Sequence, residues 1–177
     1  QGWVKVVEPE TTIKIQCPCG LITVHVSVKE GKTGRVRYES VPAFAFALEN
    51  TVNTDRYGPV TLDIGYGGAF FSVFPANEIG LDVRSSATRD LVDAATIISS
   101  AVKRQVQLHH PDDDDLAFLY GTILTDGNDN YSVEHTANIC VFADAQVDRS
   151  PTGSGVTARM AIQHRRGLIK LNQARTF

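Results

Sequence analysis

The chain has 177 residues, of which 42% are hydrophobic and 21% are charged, as expected for a globular domain with its own core. The formal net charge is −3 and the basic residues are scattered along the chain, so the sequence does not predict nucleic-acid binding. No apolar stretch reaches the roughly 18 residues that a membrane span needs, so no membrane association is predicted.

The first part of the chain is predicted to form an antiparallel meander. Apolar and polar residues alternate over residues 11–48, as in strands with one buried face. Cys17-Pro18-Cys19 is not a C-x-x-C pair, and we interpret it as a turn at a strand entry. With Cys140 the number of cysteines is odd, which favours free thiols in a reducing compartment, so we expect the cytoplasm.

Two segments further along have different periods. Residues 60–73 resemble two strands interrupted by glycines, where another part of the backbone is expected to approach closely. Residues 88–107 follow a period near 3.6 and predict an amphipathic helix. Its buried stripe is predicted to contain Leu91, Ala94, Ala95, Ile98, Ala101 and Val102.

The polar residues after this helix are not predicted to bind a metal. His109 and His110 are expected to form a solvated helix end, and the five histidines share no metal-ligand spacing. The acidic run Asp112–Asp115 could supply calcium ligands, but adjacent side chains point in different directions and the spacing of an EF-hand is lacking. The role of this run is left open.

The last part of the chain is predicted to form a hairpin and a second helix. Residues 116–124 and 138–143 are typical of buried strands, and a turn-rich segment separates them. A helix is expected from Ser150 to about Gly167, with Ser150 as the N-cap and Pro151 at the first helical position. With no internal repeat and no linker, the sequence predicts a single α+β domain over residues 1–177.

The start of the second helix has the composition of an anion-binding site. Its sequence is Asp148-Arg149-Ser150-Pro151-Thr152-Gly153-Ser154-Gly155. The amides of Gly153 and Ser154, together with the helix dipole, could hold a carboxylate, and Asp148 could accept from an ammonium group. This combination suits an amino acid. An ordinary capped helix would explain the composition equally well, so spacing alone does not decide.

Residues 148–155 resemble the second active-site motif of the proline racemase superfamily, whose racemases have cysteine where this chain has Thr152. Asp-Ile-Gly-Tyr-Gly-Gly-Ala-Phe-Phe at 63–71 is similar to another segment of that family, as are residues 88–93 and 138–142. The resemblance therefore spans most of the chain. Within the superfamily, the threonine and the segment at 116–121 followed by Asp126-Gly127 resemble the branch that dehydrates trans-3-hydroxy-L-proline.

This resemblance implies one lobe of a diaminopimelate epimerase-like fold, with a curved mixed sheet wrapped around a central helix. The first family motif, Met-Cys-Gly-His, is not found in the sequence, so residues 1–177 are expected to be the second, substrate-binding lobe of a two-lobed enzyme. The start at Gln1 lacks an initiator methionine, and we expect truncation at both ends. The expected partner is hydroxyproline, and a homodimer is left open.

The activity implied by the resemblance is a cofactor-independent dehydration that yields pyrroline-2-carboxylate. A cysteine on the other lobe would remove the Cα proton, and the 3-hydroxyl would leave near Thr152, the catalytic residue expected here. A threonine hydroxyl is too weak an acid to protonate a carbanion, but it can hydrogen-bond a leaving hydroxyl. Residues expected to bind the substrate are Asp148, Gly153 and Ser154, with Phe142 against the pyrrolidine ring.

Two alternatives remain at this point. A proline racemase or 4-hydroxyproline epimerase would require cysteine at position 152, so the threonine found there argues against that activity. A non-catalytic amino-acid-binding module would need only the helix start, without any thiol nearby.

Overall fold

A computed structural model of the chain describes residues 2–177, so Gln1, on which the expected truncated start rests, lies outside the described part. The chain divides into two units, Gln1–Pro42 and Ala43–Phe177, and each contains one sheet. That residues 1–177 belong to one domain of a larger enzyme stays a prediction.

The first unit is an antiparallel sheet of three strands in the order β1-β2-β3. The strands are β1 (Glu10–Cys17), β2 (Gly20–Lys29) and β3 (Lys32–Glu39). The predicted meander is confirmed for these strands. Cys17 pairs with Gly20 across a tight turn, which confirms the interpretation of the cysteine-containing segment. The three cysteines of the chain are free thiols, as expected.

The second unit is built on a six-stranded mixed sheet in the order β4-β5-β6-β7-β8-β9. Neighbouring strands are antiparallel except for β6 and β7, which are parallel because helix α1 (Thr88–Gln105) connects them. The predicted hairpin is confirmed as β7 and β8. The strands are β4 (Phe44–Thr54), β5 (Gly58–Tyr66), β6 (Phe70–Pro75), β7 (Leu119–Thr125), β8 (Asn138–Phe142) and β9 (Gln146–Val147).

Two strand boundaries differ from the predicted ones. Residues 44–48 belong to β4 of the second sheet and not to the meander. The strand predicted from residue 116 begins only at Leu119, because Asp114–Leu116 form a 3-10 turn. Asp113 caps that turn by accepting from the amide of Asp115, so part of the acidic run serves to turn the chain. A second 3-10 turn, Ala76–Ile79, follows β6.

Helix α1 packs on one face of the second sheet with the predicted stripe. Its buried residues are the six named from the periodicity. On this face hydroxyl groups bridge the elements: Ser72 and Thr122 are 2.7 Å apart, and Ser99 of α1 is 2.6 Å from Thr122. Among residues 2–177, no helix is long and apolar enough to cross a membrane.

Helix α2 (Gly153–Arg165) packs on the opposite face. Phe71 and Val73 of β6 alternate with Ser72 and therefore point toward α2, since successive side chains of a strand lie on opposite faces. The core on this side spans several strands, so α2 lies centrally on the sheet. Its members are Phe71, Val73, Ile123, Cys140, Ala158 and Ile162.

The start of α2 corrects the prediction from the sequence. The helix begins at Gly153, and its N-cap is Thr152, so the assignment of Ser150 as N-cap and Pro151 as first helical residue is wrong. The physical reason is that the Ser150 side chain is used before the helix. Its hydroxyl accepts from the amide of Thr152 and donates to Asp148, which forms a separate turn.

Two glycines of β5 and its following turn allow α2 to lie directly on the sheet, as expected for the glycine-rich segment. A Cβ atom at Gly67 would lie 2.3 Å from the carbonyl oxygen of Ser154 and 2.5 Å from the amide nitrogen of Ala158. A Cβ atom at Gly65 would lie 3.0 Å from the carbonyl oxygen of Ala158. The backbone of α2 is therefore in contact with backbone, and no side chain fits between them.

One of the two histidines after α1 is not solvated. His109 is exposed, but His110 is only 7% exposed, so the expected solvated end is wrong for His110. Its ring lies 4.6 Å from that of Tyr66 and 6.0 Å from that of Phe44, between centroids. Phe44, Tyr66 and Phe70 are neighbours across β4, β5 and β6, and His110 completes their aromatic cluster.

Replacing Gly67 by alanine should destabilise the protein strongly, because backbone atoms of α2 cannot move aside for the new methyl group. We expect Gly67→Ala to lower the free energy of unfolding by about 3 kcal/mol in urea titrations. Gly34→Ala is the matched control, since its methyl group would meet the Ser27 hydroxyl at 2.8 Å, which can rotate away at the loss of one exposed hydrogen bond to Arg35. A Gly67→Ala variant as stable as the control would show that α2 does not rest on this glycine.

Candidate active site

The loop before α2 is organised around the carboxylate of Asp148. One carboxylate oxygen accepts from the amide and the hydroxyl of Ser150, at 2.8 and 2.9 Å. The other accepts from the hydroxyl of Thr152 at 2.9 Å. The amide of Ser150 lowers the pKa of Asp148 most, and the two hydroxyls lower it further. The carboxylate is therefore ionised at neutral pH and is presented at the start of α2.

Thr152 lies at this start in an uncommon backbone conformation. Its φ is +67°, in the left-handed region, and its side chain is buried. A β-branched residue in that region carries strain of about 1–3 kcal/mol, and such residues concentrate at functional sites. Its amide donates to Ser150 Oγ at 3.1 Å, and its carbonyl accepts from the amide of Val156 at 2.8 Å. The surrounding loop therefore imposes this conformation.

The first turn of α2 offers free hydrogen-bond donors. Within residues 2–177, the amides of Gly153 and Ser154 donate to no protein acceptor. They point along the positive end of the helix dipole, which attracts anions. The structure thus brings together Asp148, Thr152, Gly153 and Ser154, four of the five residues predicted from the sequence. Their roles toward a substrate stay predictions.

Phe142, the fifth predicted residue, lies at the end of β8. Its ring stacks on Tyr120 with centroids 5.4 Å apart and planes 12° apart, and it packs against the core beneath α2. Phe142 and Cys140 lie on the same face of β8. No hydrogen bond or ring contact in the described part of the chain joins Phe142 to Asp148 or Thr152, and its contact with a substrate stays a prediction.

Cys140, whose carbonyl accepts from the amide of Asp148 at 3.1 Å, lies beside this loop, and its thiol is not suited to act as a base. Burial raises the pKa of Cys140 to about 11, although a hydrogen bond with Thr152 acts in the opposite direction. The thiol therefore stays protonated at neutral pH, as expected from the apolar sequence around it.

A cavity of about 490 Å³ adjoins the loop. Besides Asp148 and its neighbours, it is lined by three basic or titratable side chains, Arg84, His135 and Arg149. Sequence reasoning missed Arg84 and His135, and no local pattern marks them, because they lie in loops that only the fold brings to this place.

A buried arginine of α2 links the helix to the loop between β7 and β8. Arg159 of α2 is 0% exposed, and its guanidinium donates to Asp129 at 2.8 and 3.0 Å and to Thr136 at 2.8 Å. Gln163, one turn further along α2, donates to the same Asp129 oxygen at 2.9 Å. Sequence reasoning missed this network. The signal was a pair of polar residues four apart on a helix face that is otherwise apolar.

Asp126 anchors the loop that carries this network. Burial raises its pKa, but hydrogen bonds from the Thr136 hydroxyl, the Ala137 amide and Asn128 outweigh that effect and hold the pKa well below its ordinary value. The first two bonds are 2.7 Å long. Arg84 lies 3.2 Å from the same carboxylate. Asp126 is therefore ionised and fixed in the folded protein.

The comparisons with known proteins identify the class. A family model described as "Proline racemase" matches residues 1–177, and the chain belongs to that family. Its α+β fold is one lobe of the two-lobed fold of the family. A crystal structure of a hydroxyproline epimerase from Agrobacterium vitis with bound trans-4-OH-L-proline superposes with a TM-score of 0.87, at 25% identity, over 98% of this chain and 49% of that one. A probable proline racemase from Agrobacterium radiobacter K84, with bound carbonate, has the same TM-score at 26% identity, over 97% and 50%.

Relatives with a higher sequence identity to this chain are named as dehydratases of trans-3-hydroxy-L-proline. Trans-L-3-hydroxyproline dehydratase of Xenopus tropicalis is 63% identical over 169 residues, which are 96% of this chain and 49% of the relative. Trans-3-hydroxy-L-proline dehydratase of Homo sapiens is 57% identical over 169 residues, 95% of this chain and 48% of the relative. The chain thus spans about half the length of the curated relatives it matches.

The loop anchored by Asp126 should give the protein a defined acid sensitivity. Because its pKa is lower when folded, the stability from Asp126 is fully present above its ordinary pKa near 4 and is lost as pH falls toward the folded value. Asp126→Asn should lower the free energy of unfolding by about 1.5–3 kcal/mol at pH 7.

This difference from wild type should shrink below about pH 4 in urea titrations. Asp112→Asn, at an exposed carboxylate of the acidic run, is the control, with an expected change within about 0.5 kcal/mol. An Asp126→Asn effect of equal size at pH 3 and pH 7 would contradict the assignment.

Proposed function

We propose that the chain is the substrate-binding half of a trans-3-hydroxy-L-proline dehydratase. The observation that supports the proposal most is the hydrogen bond that the Thr152 hydroxyl donates to an ionised Asp148. This bond lies at the start of α2, beside the amides of Gly153 and Ser154. Racemases of the family are expected to place a cysteine thiol there. The dehydratase names of the relatives at 63% and 57% identity support the same reaction.

In this proposal the substrate is held at both of its charged groups. The amides of Gly153 and Ser154 bind the carboxylate, and Asp148 pairs with the ring ammonium. Phe142 packs against the pyrrolidine ring. Such a site orients Cα, since two ionic contacts and one apolar face leave the ring little freedom to turn.

The proposed reaction begins with removal of the Cα proton by a cysteine thiolate on the other half of the enzyme. Negative charge then grows on the carboxylate, where the amides of Gly153 and Ser154 stabilise it more strongly than in the ground state. The electron pair of the broken C–H bond forms a double bond between Cα and C3, and the C3–O bond breaks. The 3-hydroxyl takes up the proton that the cysteine thiol received from Cα and leaves as water, which regenerates the thiolate, and the enamine tautomerises to pyrroline-2-carboxylate. No step uses a cofactor.

The role proposed for Thr152 is to hydrogen-bond the departing hydroxyl. A hydroxyl has one proton, and in this structure Thr152 donates it to Asp148. To donate to the leaving oxygen, the Thr152 hydroxyl must turn away from Asp148. The carboxylate oxygen that it releases is then available to the ring ammonium, so substrate binding and reorientation of Thr152 favour each other.

Racemisation by the same site is disfavoured because it needs a second proton donor on the opposite face of Cα. Thr152 is too weak an acid for that role, and Cys140 is buried in the core. A purely non-catalytic binding module would have no use for a strained Thr152 bonded to Asp148.

Thr152→Cys in the full-length enzyme should lower dehydration by about 10²–10⁴-fold, because the new thiol hydrogen-bonds the leaving hydroxyl poorly. It should also allow some inversion at Cα, since a thiol restores the missing proton donor. Proton NMR in D₂O measures both reactions. Product signals report dehydration, and deuterium with inverted configuration at Cα reports inversion. Thr152→Ser keeps a hydroxyl and is the control, and wild-type dehydration by Thr152→Cys would remove Thr152 from the mechanism.

The 177-residue chain alone should fold cooperatively but show no dehydratase activity, because the proposed base lies on the other half of the enzyme. Thermal unfolding followed by circular dichroism checks folding, and product formation from trans-3-hydroxy-L-proline checks activity. The full-length enzyme assayed in parallel is the positive control. Turnover by the chain alone, abolished by Thr152→Ala, would disprove the two-half site.

A further inference from the structure

One peptide group fixes the orientation of Thr152 in the site. Side chains form hydrogen bonds with both polar atoms of this peptide. This peptide joins Pro151 to Thr152. Its N–H donates to Ser150 Oγ at 3.1 Å, and its C=O, on Pro151, accepts from the side-chain amide of Asn138 at 3.2 Å. The plane of this peptide sets the φ angle of Thr152, and therefore the direction in which its hydroxyl points.

Asn138 is in turn oriented by the buried arginine. It begins β8 and lies on the same face as Cys140, toward α2. Its side-chain oxygen accepts from Arg159 Nη1 at 3.4 Å, so its NH₂ group must face Pro151. Arg159 cannot turn away, because Asp129 and Thr136 hold the rest of its guanidinium. A fixed chain of hydrogen bonds thus runs from the interior to the loop.

We propose that Asn138, oriented by Arg159, is a positioning residue that holds the Pro151–Thr152 peptide in the orientation needed for the loss of the 3-hydroxyl. This inference rests on the proposed dehydration. Asn138 does not touch the substrate in this scheme. It acts through the backbone of Thr152, whose left-handed conformation needs restraint from outside because threonine does not favour it.

The position of Asn138 predicts which kinetic constant changes. The amides that bind the carboxylate belong to the first turn of α2, and the helix itself keeps them in place. Thr152 lies before the helix and depends on the loop. Removing the hydrogen bond from Asn138 should therefore misplace the hydroxyl of Thr152 while leaving carboxylate binding nearly intact, so kcat falls and KM does not.

Asn138→Asp in the full-length enzyme is the sharpest test. The new carboxylate keeps a partner for Arg159 but cannot donate to the Pro151 carbonyl, so folding is preserved while this one hydrogen bond is removed. We expect kcat for dehydration to fall about 10–100-fold, with KM within about threefold of wild type and an unchanged thermal midpoint. Asn130→Asp introduces the same charge at an exposed site in the neighbouring loop and should behave as wild type.

Ser150→Ala removes the restraint on the other side of the peptide and should also lower kcat, but KM should rise with it, because the Ser150 hydroxyl also donates to Asp148. If Asn138→Asp retains wild-type kcat, or loses kcat, KM and thermal stability together, the positioning role is wrong.

Amide hydrogen exchange in the same full-length protein separates this inference from the proposed function. Without the hydrogen bond to the Pro151 carbonyl, the amide of Thr152 should exchange at least about tenfold faster, while that of Ile162, inside α2, is unchanged. If the wild-type enzyme fails to dehydrate trans-3-hydroxy-L-proline, the proposed function fails, and faster exchange at Thr152 still supports the restraint. Unchanged exchange at Thr152 in Asn138→Asp overturns it.

Discussion

The contact of the backbone of helix α2 with strand β5 and the turn after it is the constraint on which the other features of the second unit depend. At Gly67 there is no room for even one methyl group. At the other end of the helix, Arg166 donates two hydrogen bonds of 2.7 Å to Asp63 of the same strand. A helix held at both ends cannot slide or roll, because close-packed interiors resist such displacement. The first turn of α2 therefore has a fixed position at the edge of the core.

Charge is arranged in two layers around that first turn. Asp148 lies in the outer layer and is half-buried, whereas Arg159 lies in the inner layer with no exposure to solvent. A buried guanidinium is costly unless it is paired, and here carboxylate, hydroxyl and amide oxygens surround it. Asp129 and Thr136 come from the loop between β7 and β8, and Asn138 begins β8, while the centroid of the Phe177 ring lies 5.4 Å from the guanidinium carbon. The cation thus joins α2, the loop and the last residue of the chain.

Periodic elements could be predicted from the sequence, whereas features that depend on distant partners could not. The stripe of α1 follows from local periodicity, and all six of its residues are buried as predicted. The prediction that the helix starts at Ser150 was wrong because the Ser150 hydroxyl accepts from the Thr152 amide and donates to Asp148, which forms a turn before the helix begins. His110 and Arg159 have partners many residues away along the chain, which no local pattern contains. In the site, Asp148 and Thr152 are only four residues apart, so their proximity was predictable from the motif.

The left-handed backbone at Thr152 has a consequence for how related activities diverge. Under the proposed function, the orientation of this residue is set by atoms of Ser150 and Asn138 and not by its own side chain. A cysteine at position 152 would inherit the same Cα–Cβ direction. One substitution is then enough to exchange a proton donor for a partner of a departing hydroxyl, without rebuilding the loop. Under the proposed function, the scaffold specifies where the substrate lies and the identity of residue 152 specifies which bond breaks, so the two can evolve separately.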